Sequence, residues 1–112
     1  MNATGRPDHR ARANALRDRV LDGPGETAPA LRQAVALSAA GGSPAPPPYD
    51  ALARQIGEAA HRTTDADVAN VVRMTGSERA TFEVILAAAV GAGLLRWQKA
   101  LTVLDEATDA TS

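Results

Sequence analysis

Residues 82–101, FEVILAAAVGAGLLRWQKAL, decide how this chain folds. The twelve residues from 84 to 95 carry no charge and no strongly polar side chain, and many of them are Ala or Gly. A helix of this composition is apolar on every face and has to be buried on all sides. Since a domain of 112 residues buries only roughly 60–70% of its unfolded surface, we expect the helix to serve both the core and a contact between subunits.

The composition argues against several classes of function. The formal net charge is −1 with both signs interspersed, which disfavours nucleic acid or an anionic membrane as a partner. The chain has no cysteine, so disulfides, thiol chemistry and Cys-ligated zinc are excluded. His9 and His61 are its two histidines and lie in no cluster with ligand spacing, so we expect no metal and no cofactor.

The location follows from two further features. The N-terminus has no apolar segment of the kind that forms a signal peptide. The apolar run of twelve residues is shorter than the roughly 18–20 residues that span a bilayer. We therefore expect a cytoplasmic protein with no membrane contact.

The spacing of apolar residues predicts an all-α fold. A single domain is expected over residues 8–107, with a flexible N-terminus at 1–7 and a frayed tail at 108–112. Its helices are predicted at 8–21, 29–40, 49–62, 65–74 and 78–107. The four prolines in residues 41–48, GGSPAPPP, exclude regular structure there and predict a stiff connector.

Local signals define the last two helices. Thr64 and Asp67 have the spacing of an N-terminal capping box, and Ser77 is placed to cap the last helix. Gly76 occupies the position where a helix ends in a left-handed residue. At 1.5 Å per residue the last helix is roughly 45 Å long, so we expect either a bend at residues 91–93 or a protruding end.

Residues 63–101 resemble the C-terminal half of the AhpD-like, or carboxymuconolactone decarboxylase, family. The matching residues are a Gly-Ser-Glu turn and the Ala-rich helix after it, namely Gly76, Ser77, Glu78, Phe82, Glu83, Ala87, Ala88, Ala89 and Gly91. The resemblance implies an AhpD-like helical domain whose long helix packs against its counterpart in another subunit. The implied partner is a second copy of the chain or a related AhpD-like protein.

The chain departs from that family where its redox members resemble one another in a Cys-x-x-Cys pair. Residues 56–62, IGEAAHR, retain Glu58 and His61 but no thiol. Peroxide reduction by a dithiol is therefore excluded. Decarboxylation of a lactone acid needs acid, base and anion-binding groups and stays open.

The candidate catalytic residues are Glu83, His61 and Glu58, and the candidates for holding a substrate carboxylate are Arg96 and Arg62. Glu83 is the last charge before the apolar run, and burial would raise its pKa. Each residue also has a structural interpretation, as a helix cap, a rim residue or a member of a solvated ion pair.

The candidate oligomer contact consists of small residues at helical spacing and one large aromatic, namely Ala87, Ala88, Gly91, Ala92, Leu95 and Trp97. A helix-turn-helix over residues 64–79 is disfavoured, because its second helix would offer nothing to bases or phosphates. We therefore expect a non-redox, oligomeric accessory or interaction subunit. The alternative is a cysteine-independent enzyme acting on a small lactone or carboxylic acid.

Overall fold

The described part of the chain is helical and contains no strand. The computed structural model describes residues 9–59, 63 and 65–111. The helices are α1 (His9–Asp22), α2 (Pro29–Ala39), α3 (Tyr49–Ala59), α4 (Asp65–Thr75), α5 (Glu78–Val90) and α6 (Arg96–Thr111), with a π-helical segment (Gly91–Leu95) between the last two. The predicted all-α fold is confirmed.

Helix α2 occupies the centre of the fold. It packs against α1, α3, α5 and the π-helical segment. Its residues Val35, Ala36 and Ala39 are buried, as are Leu52 of α3 and Val84 of α5 that belong to the same core. The aliphatic residues that follow helical spacing in the sequence thus build one core around α2.

Two glycines allow other backbones to approach α2 closely. A Cβ on Gly91 would lie 2.0 Å from the carbonyl oxygen of Ala36, and a Cβ on Gly57 would lie 2.1 Å from that of Ala39. Ala87 and Ala88 are fully buried on the same side of α5. These small residues therefore serve packing within the chain.

The last two helices and the π-helical segment form one continuous helix over residues 78–111. The helix continues past Ala107 to Thr111, and the molecule measures 51 × 29 × 23 Å. Between Arg96 and Asp109 no residue is buried. The end of the helix touches α1 through Arg10, whose Nη2 lies 3.1 Å from the Asp105 carboxylate, and through Gln98, which donates to Asn14 over 2.8 Å.

The ends of the helices follow the local signals. Gly76 has a φ of 71°, and the Ser77 hydroxyl accepts a hydrogen bond from the Ala80 amide over 3.1 Å, so both predictions are confirmed. The capping box predicted at Thr64 and the end of the predicted third helix at 60–62 lie outside the described residues.

The proline-rich connector is held against the core by Asp50. Its carboxylate accepts hydrogen bonds from the Ser38 hydroxyl over 2.6 Å and from the Ala45 amide over 2.9 Å. The bond from Ser38, followed by that from Ala45, lowers the pKa of Asp50. Ala45 is buried, so the connector packs on the protein.

Candidate functional site

Glu83 connects α5 to the loop between α1 and α2. Its carboxylate accepts hydrogen bonds from the Glu26 amide over 2.9 Å, from the Thr27 amide over 2.8 Å and from the Thr27 hydroxyl over 2.6 Å. A Cβ on Gly25 would lie 2.8 Å from both carboxylate oxygens, so glycine gives the loop room to approach. This cluster, Glu83 with Gly25, Glu26 and Thr27, is called the loop clamp below.

The loop clamp sets the protonation of Glu83. Burial favours the neutral acid, but the hydrogen bonds from Thr27 and then Glu26, with the charge of Arg32, outweigh it and lower the pKa of Glu83 to about 2. This is the opposite of the raised pKa expected for a buried Glu83, because the loop supplies three donors to the charged form. A carboxylate with so low a pKa is a weak base at neutral pH, and its oxygens are already engaged.

The other predicted site residues lie on different elements. Glu58 is exposed on α3. Arg96 is exposed at the start of α6 and donates from Nη1 to the backbone carbonyl of Gly57. His61 and Arg62 lie outside the described residues. The structure thus places Glu83 against the α1–α2 loop and Arg96 against α3, and it does not bring these two together.

The predicted oligomer contact divides into two groups. Ala87, Ala88 and Gly91 are covered by their own chain and have no surface on which another subunit could pack. Ala92 and Leu95 are half-buried, and Trp97 is exposed. A contact between subunits stays a prediction for these last three.

A groove between α1 and α5 was missed by reasoning from the sequence. It has a volume of about 460 Å³. Apolar and charged side chains line it, namely Leu16, Arg19, Val20, Pro24, Arg32, Arg79, Phe82, Glu83 and Leu86. One signal was available in the sequence. Arg32 is a charged residue between the apolar residues Leu31 and Val35, and a charge on the apolar face of a helix indicates a buried polar site.

Arg32 of α2 binds backbone carbonyls at the C-terminal end of α1. Only 3% of Arg32 is exposed. Its Nη1 donates to the Val20 carbonyl over 2.7 Å and its Nη2 donates to the Gly23 carbonyl over 2.5 Å. These carbonyls belong to the last turn of α1 and the residue after it, where helical partners are lacking. Arg32 is therefore the buried cation of this region.

The described residues hold no metal cluster, whereas one helix has the length and composition of a membrane span. The described residues contain no group of three His, Asp or Glu side chains that could hold a metal ion. Glu78–Asp109 is long and apolar enough to cross a membrane by length and composition, although 39% of its most apolar window is buried in the protein. The core helix of a soluble protein can have the same length and composition, so these features are weak support for a membrane span.

No family model, curated protein or solved structure matches this chain. The AhpD-like resemblance therefore stays a prediction made from the residues of the turn and the helix after it.

Proposed function

We propose that this protein is a non-redox interaction subunit that forms a homodimer through α6. The observation that carries the proposal is the exposure of this helix. Trp97 is 46% exposed and Leu104 is 60% exposed, and Val103 is exposed as well. Large apolar side chains gathered on one exposed helix are typical of a contact surface.

The spacing of these residues suits a partner helix. Trp97, Leu101 and Leu104 are four and three residues apart, so they share one face of α6. Most helical stability comes from packing, and α6 contacts the rest of the chain mainly through side chains of α1 such as Arg10 and Asn14. Leu101 lies beside Arg10 and Asn14 of α1, so a second helix would cover mainly Trp97 and Leu104.

The charges of α6 favour a second copy in antiparallel orientation. The first half of the helix carries Arg96 and Lys99, and the second half carries Asp105, Glu106 and Asp109. These charges lie in the second half of one helix that begins at Glu78, so the dipole does not account for the position of Arg96 and Lys99, and the negative helix end disfavours Asp109. Arg96 and Asp105 already bind Gly57 and Arg10 in their own chain. Two antiparallel copies place the Lys99 end of each helix beside the Glu106 end of the other, as a self-complementary two-fold contact requires.

The AhpD-like resemblance supports the same function. It implies a long helix that packs on its counterpart in another subunit. Here α2 already covers the Ala-rich half of that helix, so the contact is proposed for the other half. The enzyme alternative has less support, because Glu83 and Arg96 already have hydrogen-bond partners on separate elements.

The proposal is tested by native mass. Light scattering coupled to chromatography should give a dimer for the wild-type chain at micromolar concentration. Leu104→Glu should give a monomer with unchanged far-UV circular dichroism, because the charge enters the contact but touches no core residue. Met74→Glu is the matched control, since Met74 is an exposed apolar residue on α4, and it should stay dimeric.

Two results would contradict the proposal. If the wild-type protein is a monomer throughout the micromolar range, it does not form the proposed homodimer. If Leu104→Glu is still a dimer, the contact between subunits is not formed by this face of α6. A wild-type monomer that dimerises only with an added AhpD-like protein would identify a related chain as the partner instead.

A further inference from the structure

The groove between α1 and α5 has the size and the walls of a small-molecule site. Its volume of about 460 Å³ lies within the roughly 300–1,000 Å³ typical of ligand sites. Leu16 and Val20 of α1 form one wall, and Phe82 and Leu86 of α5 form the other. The apolar walls are thus supplied by α1 and α5, and the loop clamp bonds α5 to the loop that follows α1.

These walls are open to solvent in the described structure. Leu16 is 53% exposed and Phe82 is 61% exposed. Both side chains line one groove, so covering them with an aliphatic chain removes apolar surface from water on both sides at once. Such a pair of exposed walls differs from single apolar residues scattered over a surface, which need no explanation.

The polar lining of the groove is mainly cationic. Arg19, Arg32 and Arg79 line it with a single carboxylate, that of Glu83. The loop clamp supplies three donors to that carboxylate. The Nε of Arg32 is buried and has no hydrogen-bond partner. A buried donor without an acceptor is costly, so a ligand that brings an anionic acceptor close to it would be favoured.

Arg79 is placed to bind such an anion from the solvent side. Its side chain is 74% exposed, and its Nε lies 3.7 Å from carboxylate oxygens of both Glu26 and Glu83. This separation is longer than a hydrogen bond, so the ion pairs leave the guanidinium able to turn toward a ligand. A guanidinium binds a carboxylate through two parallel N–H donors.

We propose that this groove binds a small aliphatic carboxylate, such as a medium-chain fatty acid. The chain lies between Leu16 and Phe82, and the carboxylate binds Arg79 in the positive field of the buried Arg32. Three guanidinium groups and the Glu83 carboxylate line the groove, and the Glu26 carboxylate lies close to Arg79. The local net charge is therefore slightly positive. This slight positive charge suits a single negative charge better than a phosphate dianion.

The proposal is tested by titrating the full chain with octanoate, nonanoate and decanoate, monitored by calorimetry and by amide chemical shifts. Binding should saturate at one ligand per chain, and each added methylene should tighten it about fourfold. The uncharged decanol should bind at least about tenfold more weakly than decanoate, because it cannot accept a bidentate pair.

Two variants locate the site. Arg79→Gln should weaken decanoate binding about tenfold, whereas Arg73→Gln, which removes an exposed arginine from α4, should leave it unchanged. Both residues are at the surface, so both variants are expected to fold. Leu104→Glu should bind decanoate like the wild type, so failure of the dimer and failure of this site are distinguishable.

Three results would overturn the proposal. They are equal binding of decanol and decanoate, equal effects of the two arginine substitutions, and uptake that rises without saturation as in non-specific association with an amphiphile. Shifts confined to amides of residues 16–24, of Arg32 and of residues 79–86, which line the groove, would support it.

Discussion

Replacing Glu83 with Gln tests the loop clamp, because the substitution keeps the size of the side chain and removes its charge. The pKa of Glu83 falls from 4.5 to about 2 on folding, which corresponds to about 3 kcal/mol of stability. The side chain is only 14% exposed, so solvent screens this contribution weakly. A Gln amide also places an N–H group where a carboxylate oxygen accepted a hydrogen bond. We expect Glu83→Gln to destabilise the protein by about 2–3 kcal/mol at neutral pH.

The dependence on pH gives the same argument a second test. Because the pKa of Glu83 is lower in the folded state, the stabilisation is complete above the unfolded pKa of 4.5 and is lost as the pH falls toward about 2. The free energy of unfolding in urea, measured by circular dichroism, should therefore differ most between wild type and Glu83→Gln at about pH 7, and by roughly half as much at about pH 3.

Glu78→Gln is the matched control for that measurement. Glu78 is exposed in the first turn of the same helix and contributes through the helix dipole. Its replacement should cost about 0.3–1 kcal/mol. Equal stabilities of Glu83→Gln and wild type at neutral pH, or a difference that stays constant down to about pH 3, would refute the account of the loop clamp.

Three further predictions follow from packing and exposure. Gly91→Ala should unfold the protein or destabilise it by more than about 3 kcal/mol, because its Cβ would lie 2.0 Å from an α2 carbonyl oxygen, whereas Gly93→Ala has open space and should stabilise by about 0.5–1 kcal/mol. Thermal unfolding separates the two, and equal effects would contradict this packing of α2. Asp50→Ala should cost about 1–3 kcal/mol in urea unfolding, since the Ser38 hydroxyl loses its acceptor, and it should increase proteolysis in the connector; an unchanged cleavage rate would count against the anchoring role. Trp97 fluorescence should shift to shorter wavelength as concentration rises, and a constant spectrum across the dimerisation range would place this side chain outside the contact.

The helices could be predicted from the sequence because their ends depend on nearby residues. Pro29 starts α2 at its first position, and Gly76 and Ser77 separate α4 from α5 through a left-handed residue and a side-chain cap. The position of the π-helical segment was harder to predict from the sequence. The sequence predicted either a bend at residues 91–93 or a protruding end of the helix, and the structure has a change of helix type at Gly91–Leu95 followed by an exposed end.

The candidate site was harder to predict because its partners are distant along the chain. Thr27, which binds Glu83, lies 56 residues before it. Hydrophobic spacing indicates that Glu83 is near the core, but the direction of its pKa shift depends on whether donors meet it there. Likewise, the small residues Ala87 and Gly91 predict the close approach of some helix. Whether that helix comes from the same chain or from another subunit is a property of the whole fold.

The proposed association surface and the proposed ligand groove lie on the same continuous helix but at separate positions. Leu86, the last groove residue of α5, precedes Trp97 by eleven residues, which is roughly 16 Å along a helix. Between them Gly91 is buried against α2, so the intervening helix is fixed to the core. A two-fold contact centred on Trp97 and Leu104 therefore leaves the groove open. Sites this far apart are usually energetically independent, and the element common to both is α1, which lines the groove and contacts α6 through Asn14. Fatty-acid affinity should thus be the same in monomer and dimer, and a dependence of decanoate affinity on protein concentration would require the contact to reach Phe82.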